Sequence, residues 1–280
     1  MSNFIQRALV TIVAVPVLIF VILSGGYFFA GFCTLVSGLI CWEICKMLEA
    51  KNFFPNFPLV LIANFGIAHF YFWKQTELIY FWIFLITTLL LTLELFRKKE
   101  NPFLNVSSSI FAFVYGSMFF NTAILIRDFE GFADYATGGK FIILIFVGIW
   151  VCDTFAYLGG KNFGKTKLFP RISPKKTFEG SGTGFVGSLI WCFVAQQYFL
   201  PQLSNVDCII YAIITGIVSQ FGDLVESMLK RDSGVKDSSN IIPGHGGVFD
   251  RFDSLTFILP MVWIYLNIEE IFANLMIGLF

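Results

Sequence analysis

The sequence predicts an all-α, polytopic integral membrane protein with about nine transmembrane helices, and three observations predict it. Of 280 residues, 56% are hydrophobic and only 14% charged, where a soluble domain carries about 25% charge. Mean hydropathy is +0.76. Long charge-free runs alternate with short charged clusters, the pattern of helices that cross lipid, because a bilayer offers no water to an open backbone. The formal net charge of zero is uninformative; what matters is where the charges fall. No soluble domain stands apart. The chain reads as one polytopic domain over 1–280, with scaffold spans in 1–126 and a second half over 140–275 that holds most of the polar residues.

Apolar runs long enough to span predict helices over 5–23, 27–45, 57–73, 77–96, 106–126, 140–159, 182–200, 206–226 and 255–275. The first has the outline of a secretory signal. Ser24-Gly25-Gly26 is not an A-x-A cleavage site, however, and another apolar run follows at once, so a retained helix is expected. Those three residues instead signal a tight turn and a helical hairpin. Pro55 and Pro58 crowd the start of the third helix. Of the 19 lysines and arginines, all but Lys74, Arg127 and Lys140 fall on the side that holds the N-terminus. That bias places the N-terminus in the cytoplasm and the C-terminus outside, with 160–181 and 227–254 as large cytoplasmic loops. The six cysteines lie in or beside apolar runs without a C-x-x-C pair and read as apolar fillers. The only histidines, His69 and His245, are far apart, so no zinc site is expected.

Polar chemistry concentrates between Ser219 and Asp253. Ser219, Asp223 and Ser227 recur at i, i+4 and i+8, and Lys230 continues the same helix face. Carboxylates bind hard cations such as Mg²⁺, and lysines and arginines neutralise phosphate oxygens. Taken alone, Glu226 and Lys230 fit an ordinary solvated helix end. Asp223 does not, since it follows an apolar run. Downstream, Gly246 and Gly247 permit close backbone approach, so that amide N–H groups face an anion. Asp250 and Asp253 flank Arg251 in a pattern suited to a metal carrying phosphate. His245 reads equally as a hydrogen bonder that shapes the loop and as a substrate contact.

Upstream, the run from Gly159 to Thr166 matches G-x-x-x-x-G-K-[ST]. It follows a membrane helix rather than a strand and soon meets Pro170 and Pro174, so a phosphate-loop fold is rejected. The attraction of glycines and cations for phosphate stands. Across 160–181, Lys161, Lys165, Lys167, Arg171, Lys175 and Lys176 face Glu179 alone, which also suits an anchor on anionic headgroups. Asp153 lies inside a span, where an ionised group costs roughly 2.5–3.5 kcal/mol on insertion scales, and is a functional candidate. Glu43 and Glu94 lie near helix ends with no motif around them and read as carboxylates that snorkel.

The run Ser227-x-Leu229-Lys230-Arg231, then Lys236-Asp237, then Pro243-x-His245-Gly246-Gly247-x-x-Asp250-Arg251-Phe252-Asp253 resembles the signature of phosphatidate cytidylyltransferases, the CDP-diacylglycerol synthases. Ser173-Pro174-Lys175-Lys176-Thr177-x-Glu179-Gly180 and the Asp153 region resemble that family too, so the likeness covers about the C-terminal half. It implies the reaction CTP + phosphatidate → CDP-diacylglycerol + diphosphate, Mg²⁺-dependent. The setting would be the cytoplasmic face of a bacterial inner or plasma membrane, in phospholipid biosynthesis. Asp223 and Asp250 are then the leading metal ligands, with Asp253 and Asp237 as further candidates. Lys230, Arg231, Lys236 and Arg251 would neutralise phosphates, with Ser227 and His245 beside them. Lys175, Lys176, Ser173, Thr177, Gly246 and Gly247 would hold the triphosphate or the lipid phosphate. The expected partners are CTP, phosphatidate, membrane lipids and a second copy of the chain, not nucleic acid. Alternatives are a related CTP-dependent lipid kinase, an archaeol-type cytidylyltransferase, an anionic-lipid scaffold, or an ion-coupled transporter using Asp153 and Asp223. A transporter would show inverted repeats and broken helices at the midplane, whereas the charge here lies in loops on one side.

Overall fold

The computed structural model describes residues 3–268, with side chains from Val10 onward. Nine helices follow one another among these residues: α1 (Asn3–Ser24), α2 (Gly26–Glu49), α3 (Phe57–Phe72), α4 (Leu78–Glu94), α5 (Pro102–Arg127), α6 (Tyr135–Phe163), α7 (Phe178–Tyr198), α8 (Asn205–Asp232) and α9 (Phe249–Leu266). Each falls on a predicted apolar run. Four of them, α2, α5, α6 and α8, are long and apolar enough to cross a membrane, and α3, α4 and Val10–Ser24 are shorter but apolar. The tail of the ninth predicted span, 269–275, and the chain's C-terminus lie outside the described residues, as does the side chain of Arg7.

Local chemistry explains the boundaries. Asn56 caps α3 by accepting from the Leu59 amide, and Pro58 sits in the first turn, where a missing N–H costs nothing. Ser204 and Asp207 form a reciprocal capping box at the start of α8. Helix α8 runs to Asp232, past the expected limit at 226, so Ser227, Lys230 and Arg231 are helical rather than part of a loop. The segment 160–181, expected as a loop, ends α6 and then forms an antiparallel hairpin of β1 (Lys167–Phe169) and β2 (Ser173–Thr177). The fold is therefore mostly helical rather than purely so.

Two π-helical segments interrupt the long helices, Ala112–Met118 in α5 and Ile214–Val218 in α8. Such segments are frequent at functional sites, and the second immediately precedes the Ser219–Asp232 stretch. Helices α2, α3 and α5 share a core crossed by a buried polar network of Ser37, Asn64, Ser117 and Asn121. Helices α6 and α7 make the most extensive helix pair. A Cβ at Gly180 would lie 2.7 Å from the Ala156 carbonyl oxygen, so the close approach of these helices requires glycine there. Arg127, expected as a cation in an outer loop, is buried; it donates to the Ile22 and Leu23 carbonyls and to that of Tyr135, closing the C-terminal end of α1.

The hairpin is tied at its root by Glu179, whose carboxylate accepts from the Lys165 and Thr166 amides. Backbone N–H groups, its own first and then those of Lys165 and Thr166, hold its pKa down from 4.5 to about 2. Because the folded value is depressed, the tie is fully present above the ordinary carboxylate range and is lost as pH falls toward about 2. Glu179→Gln removes the charge at neutral pH and is expected to raise trypsin cleavage at Lys165 and Lys167 severalfold. An unchanged cleavage rate would show that the hairpin is held elsewhere.

Candidate active site

The second half of α8 and the first turn of α9 meet at a cavity of about 780 Å³. Its polar wall carries Asp153 from α6, Asp223, Glu226 and Lys230 from α8, Asp237 and His245 from the connecting segment, and Asp250, Arg251 and Asp253 from α9. The apolar part of its lining comes largely from α1, through Val10, Ala14, Val15 and Leu18, with Phe146 and Trp150 of α6. One space thus joins a charged floor to a hydrocarbon-lined side.

Asp223, Glu226 and Asp253 each offer a carboxylate oxygen within 4.8 Å of the other two. Asp223 and Glu226 are i, i+3 neighbours on α8, and Asp253 reaches in from α9. Three negative groups this close repel strongly unless cations accompany them. The chain supplies two: Lys176 from β2 pairs with Asp223, and Lys230 lies 2.5 Å from Glu226 and 2.6 Å from Asp250. Glu226 Oε1 is buried and has no hydrogen-bond partner among the described residues. Hard oxygen donors around an orphaned carboxylate oxygen fit a divalent cation.

The expected reading of Glu226 and Lys230 as a solvated pair does not survive. Glu226 is 1% exposed and Lys230 9%, because both face α9 rather than solvent. Asp250 sits beside the triad and is already committed, accepting from Lys230, from the Ser238 amide and hydroxyl, and from the Gly247 amide. Ser227 donates to Asp223 Oδ1 at 3.3 Å, while Ser219 turns inward to the Thr215 carbonyl. Asp237 and Arg251 are exposed and line the cavity, Lys236 is exposed, and Arg231, also exposed, donates to the Val235 carbonyl. His245 lines the cavity with its Nδ1 buried and without a hydrogen-bond partner among the described residues. In the hairpin, Lys175 is exposed, Ser173 pairs with Phe169 in the ladder, and Thr177 caps α7 by accepting from the Gly180 amide.

Two features escaped the sequence. Glu226 belongs to the carboxylate cluster; its i, i+3 spacing from Asp223 was the available signal, masked by the adjacent Lys230. The second concerns the amides after Gly246, expected to face an anion. They do, but the anions are the chain's own: Gly247 N–H goes to Asp250, and Val248 and Phe249 N–H go to Glu43. Glu43 and Glu94, expected to snorkel, are both buried.

An apolar helical scaffold that gathers carboxylates and ammonium groups about one half-hydrocarbon cavity has the build of a membrane-bound nucleotidyltransferase. Residues 5–269 match the cytidylyltransferase family, and the chain belongs to that family. It is 33% identical over 272 residues to the phosphatidate cytidylyltransferase of Bacillus subtilis, covering 95% of this chain and 98% of that protein. The enzyme of the same name from Synechocystis is 30% identical, with 93% and 95% covered. That from Staphylococcus aureus is 33% identical, with 93% and 98% covered.

Proposed function

We propose that this chain is a phosphatidate cytidylyltransferase that joins CTP to phosphatidate, releasing diphosphate, with Mg²⁺ at the carboxylate cluster. The observation that carries this reading is that Asp223, Glu226 and Asp253 line the same cavity as the apolar residues of α1. A phosphorylated lipid presents both kinds of surface at once. A lipid phosphate oxygen attacks the α-phosphorus of CTP; the new P–O bond forms as the bond to the β-phosphate oxygen breaks, and diphosphate leaves with that electron pair. Two anions must be brought together, so charge neutralisation and alignment are the main catalytic demands. Lys230 and Lys176, paired with carboxylates at the cluster, are positioned to exchange those partners for phosphate oxygens. Arg251 lines the cavity, and the exposed Lys236 and Lys175 extend the positive field, with Arg231 farther along α8. Ser227 orients Asp223. Asp223, Glu226 and Asp253, with Asp250 adjacent, would hold the cation, which would supply neutralisation of the triphosphate.

Purified protein in detergent micelles, given phosphatidate and CTP labelled separately at the α- and γ-phosphates, tests the reading. Transfer of the α-label to the lipid extract, with the γ-label released in diphosphate, is the expected result. Entry of the γ-label into lipid would identify a CTP-dependent lipid kinase instead.

All nine helices are read as membrane segments, with the N-terminus and the 160–181 and 227–254 segments on the cytoplasmic side. The positive-inside bias and the joint position of Lys176 and Asp223 support this. Single cysteines placed in 161–180 or 232–245, in a background without the six native ones, are expected to react with impermeant reagent only from the cytoplasmic side. Labelling of these two segments from opposite faces would break the shared site.

A further inference from the structure

We infer that Glu43, in the N-terminal scaffold, is a positioning residue for the carboxylate cluster, acting through Ser238 and the first turn of α9. The inference rests on the metal-binding reading of that cluster. Glu43 is fully buried and carries four hydrogen bonds, two to each oxygen. Oε1 accepts from Ser239 Oγ at 2.5 Å and the Val248 amide at 2.8 Å; Oε2 accepts from Ser238 Oγ at 3.0 Å and the Phe249 amide at 2.6 Å. An ionised carboxylate is an acceptor only, with about four lone-pair sites, and here every one is used.

Those four donors belong to the segment that delivers Asp250 and Asp253. Val248 and Phe249 open α9, two orphan amides that would otherwise have no partner. The Ser238 hydroxyl lies 3.0 Å from both Glu43 Oε2 and Asp250 Oδ2, so its one proton is shared between the two carboxylates. From there Asp250 continues to Lys230 and Glu226. A continuous polar chain therefore runs from α2 to the cluster. Gly247 belongs to the same device: a Cβ there would lie 2.5 Å from Glu43 Oε1, so the glycine keeps room for the carboxylate.

This arrangement is costly as mere adhesion. A buried carboxylate with no ion pair among the described residues is justified by what it holds, and what it holds is the segment that leads into α9, fixed against α2. Glutamine at position 43 keeps the shape but turns one oxygen into a donor facing two donors. Loss of an outer-shell partner of a metal site characteristically lowers metal affinity by about 10–100-fold.

The test is the Mg²⁺ dissociation constant read by isothermal titration calorimetry, expected to rise in parallel with the half-activating concentration, together with the Mg²⁺ activation curve, for purified wild type, Glu43→Gln and Ser238→Ala, each scaled to folded protein measured by near-UV dichroism. Ser238→Ala guards against a Glu43 variant that fails to fold, because it removes only the bridge to Asp250. The inference expects the half-activating Mg²⁺ concentration to rise at least tenfold in Glu43→Gln and severalfold in Ser238→Ala. Ser239→Ala, which contacts Glu43 but not Asp250, is expected to move it less than Ser238→Ala. Activity that falls only in proportion to folded protein, with an unchanged midpoint in both main variants, would overturn the inference alone. A wild type indifferent to chelation would overturn the metal reading of the cluster, and the inference with it.

Discussion

Asp223→Asn is expected to lower turnover by about 10²–10³-fold while the protein remains folded and membrane-inserted. The residue offers an oxygen to the carboxylate cluster, pairs with Lys176, and accepts from Ser227, so it joins the cluster to one of the proposed phosphate-neutralising lysines. Asparagine retains the volume but gives up the negative charge that both a metal and Lys176 need. A loss of roughly 3–4 kcal/mol of transition-state stabilisation corresponds to that rate effect. Asp253→Asn is expected to fall in the same range, since it completes the cluster from the other helix. Steady-state rates at saturating CTP and phosphatidate provide the check. Near-wild-type turnover in either variant would remove that residue from the site.

The largest expected effect on stability comes from Lys230→Met. The Lys230 ammonium stands between Glu226 and Asp250, at 2.5 and 2.6 Å, and all three are nearly buried. Removing the cation leaves two carboxylates facing each other with Asp253 close by. Deleting one partner of a buried pair costs about 3–5 kcal/mol, because the remaining charge is uncompensated. The double variant Glu226→Gln/Lys230→Met relieves part of that repulsion and is expected to regain stability but not activity. Thermal unfolding in a fixed detergent distinguishes the cases. A Lys230→Met protein as stable as wild type would mean that solvent, not Lys230, compensates these carboxylates.

Much of the fold was legible because lipid imposes a long-wavelength pattern on sequence. Each of the nine helices falls on an apolar run, and Ser24-Gly25-Gly26 announced the α1–α2 turn, where Gly25 and Gly26 both take positive φ. The hairpin at Lys167–Thr177 was not legible. Its strands of three and five residues are too short for a two-residue period to declare itself among so many lysines. In the site, Asp223 stood out because it follows an apolar run, and Asp253 because it flanks Arg251 together with Asp250, which the sequence ranked ahead of it as a ligand although Asp253 is the one that lies in the cluster. Glu43 did not, because its partners Ser238, Ser239, Val248 and Phe249 lie about 200 positions away, and only tertiary packing brings them together. Nor did sequence separate the apolar residues of α1 that line the cavity from those that face outward; both satisfy the same hydropathy.

The central claim is that one cavity holds the lipid phosphate against the α-phosphorus of CTP for a single displacement. The most direct measurement is the stereochemical course with CTP made chiral at phosphorus by α-thio substitution. One in-line displacement inverts the configuration in the CDP-diacylglycerol product, and inversion is the predicted result. Net retention, accompanied by a trapped cytidylylated side chain, would mean two successive displacements through the protein and would contradict direct transfer.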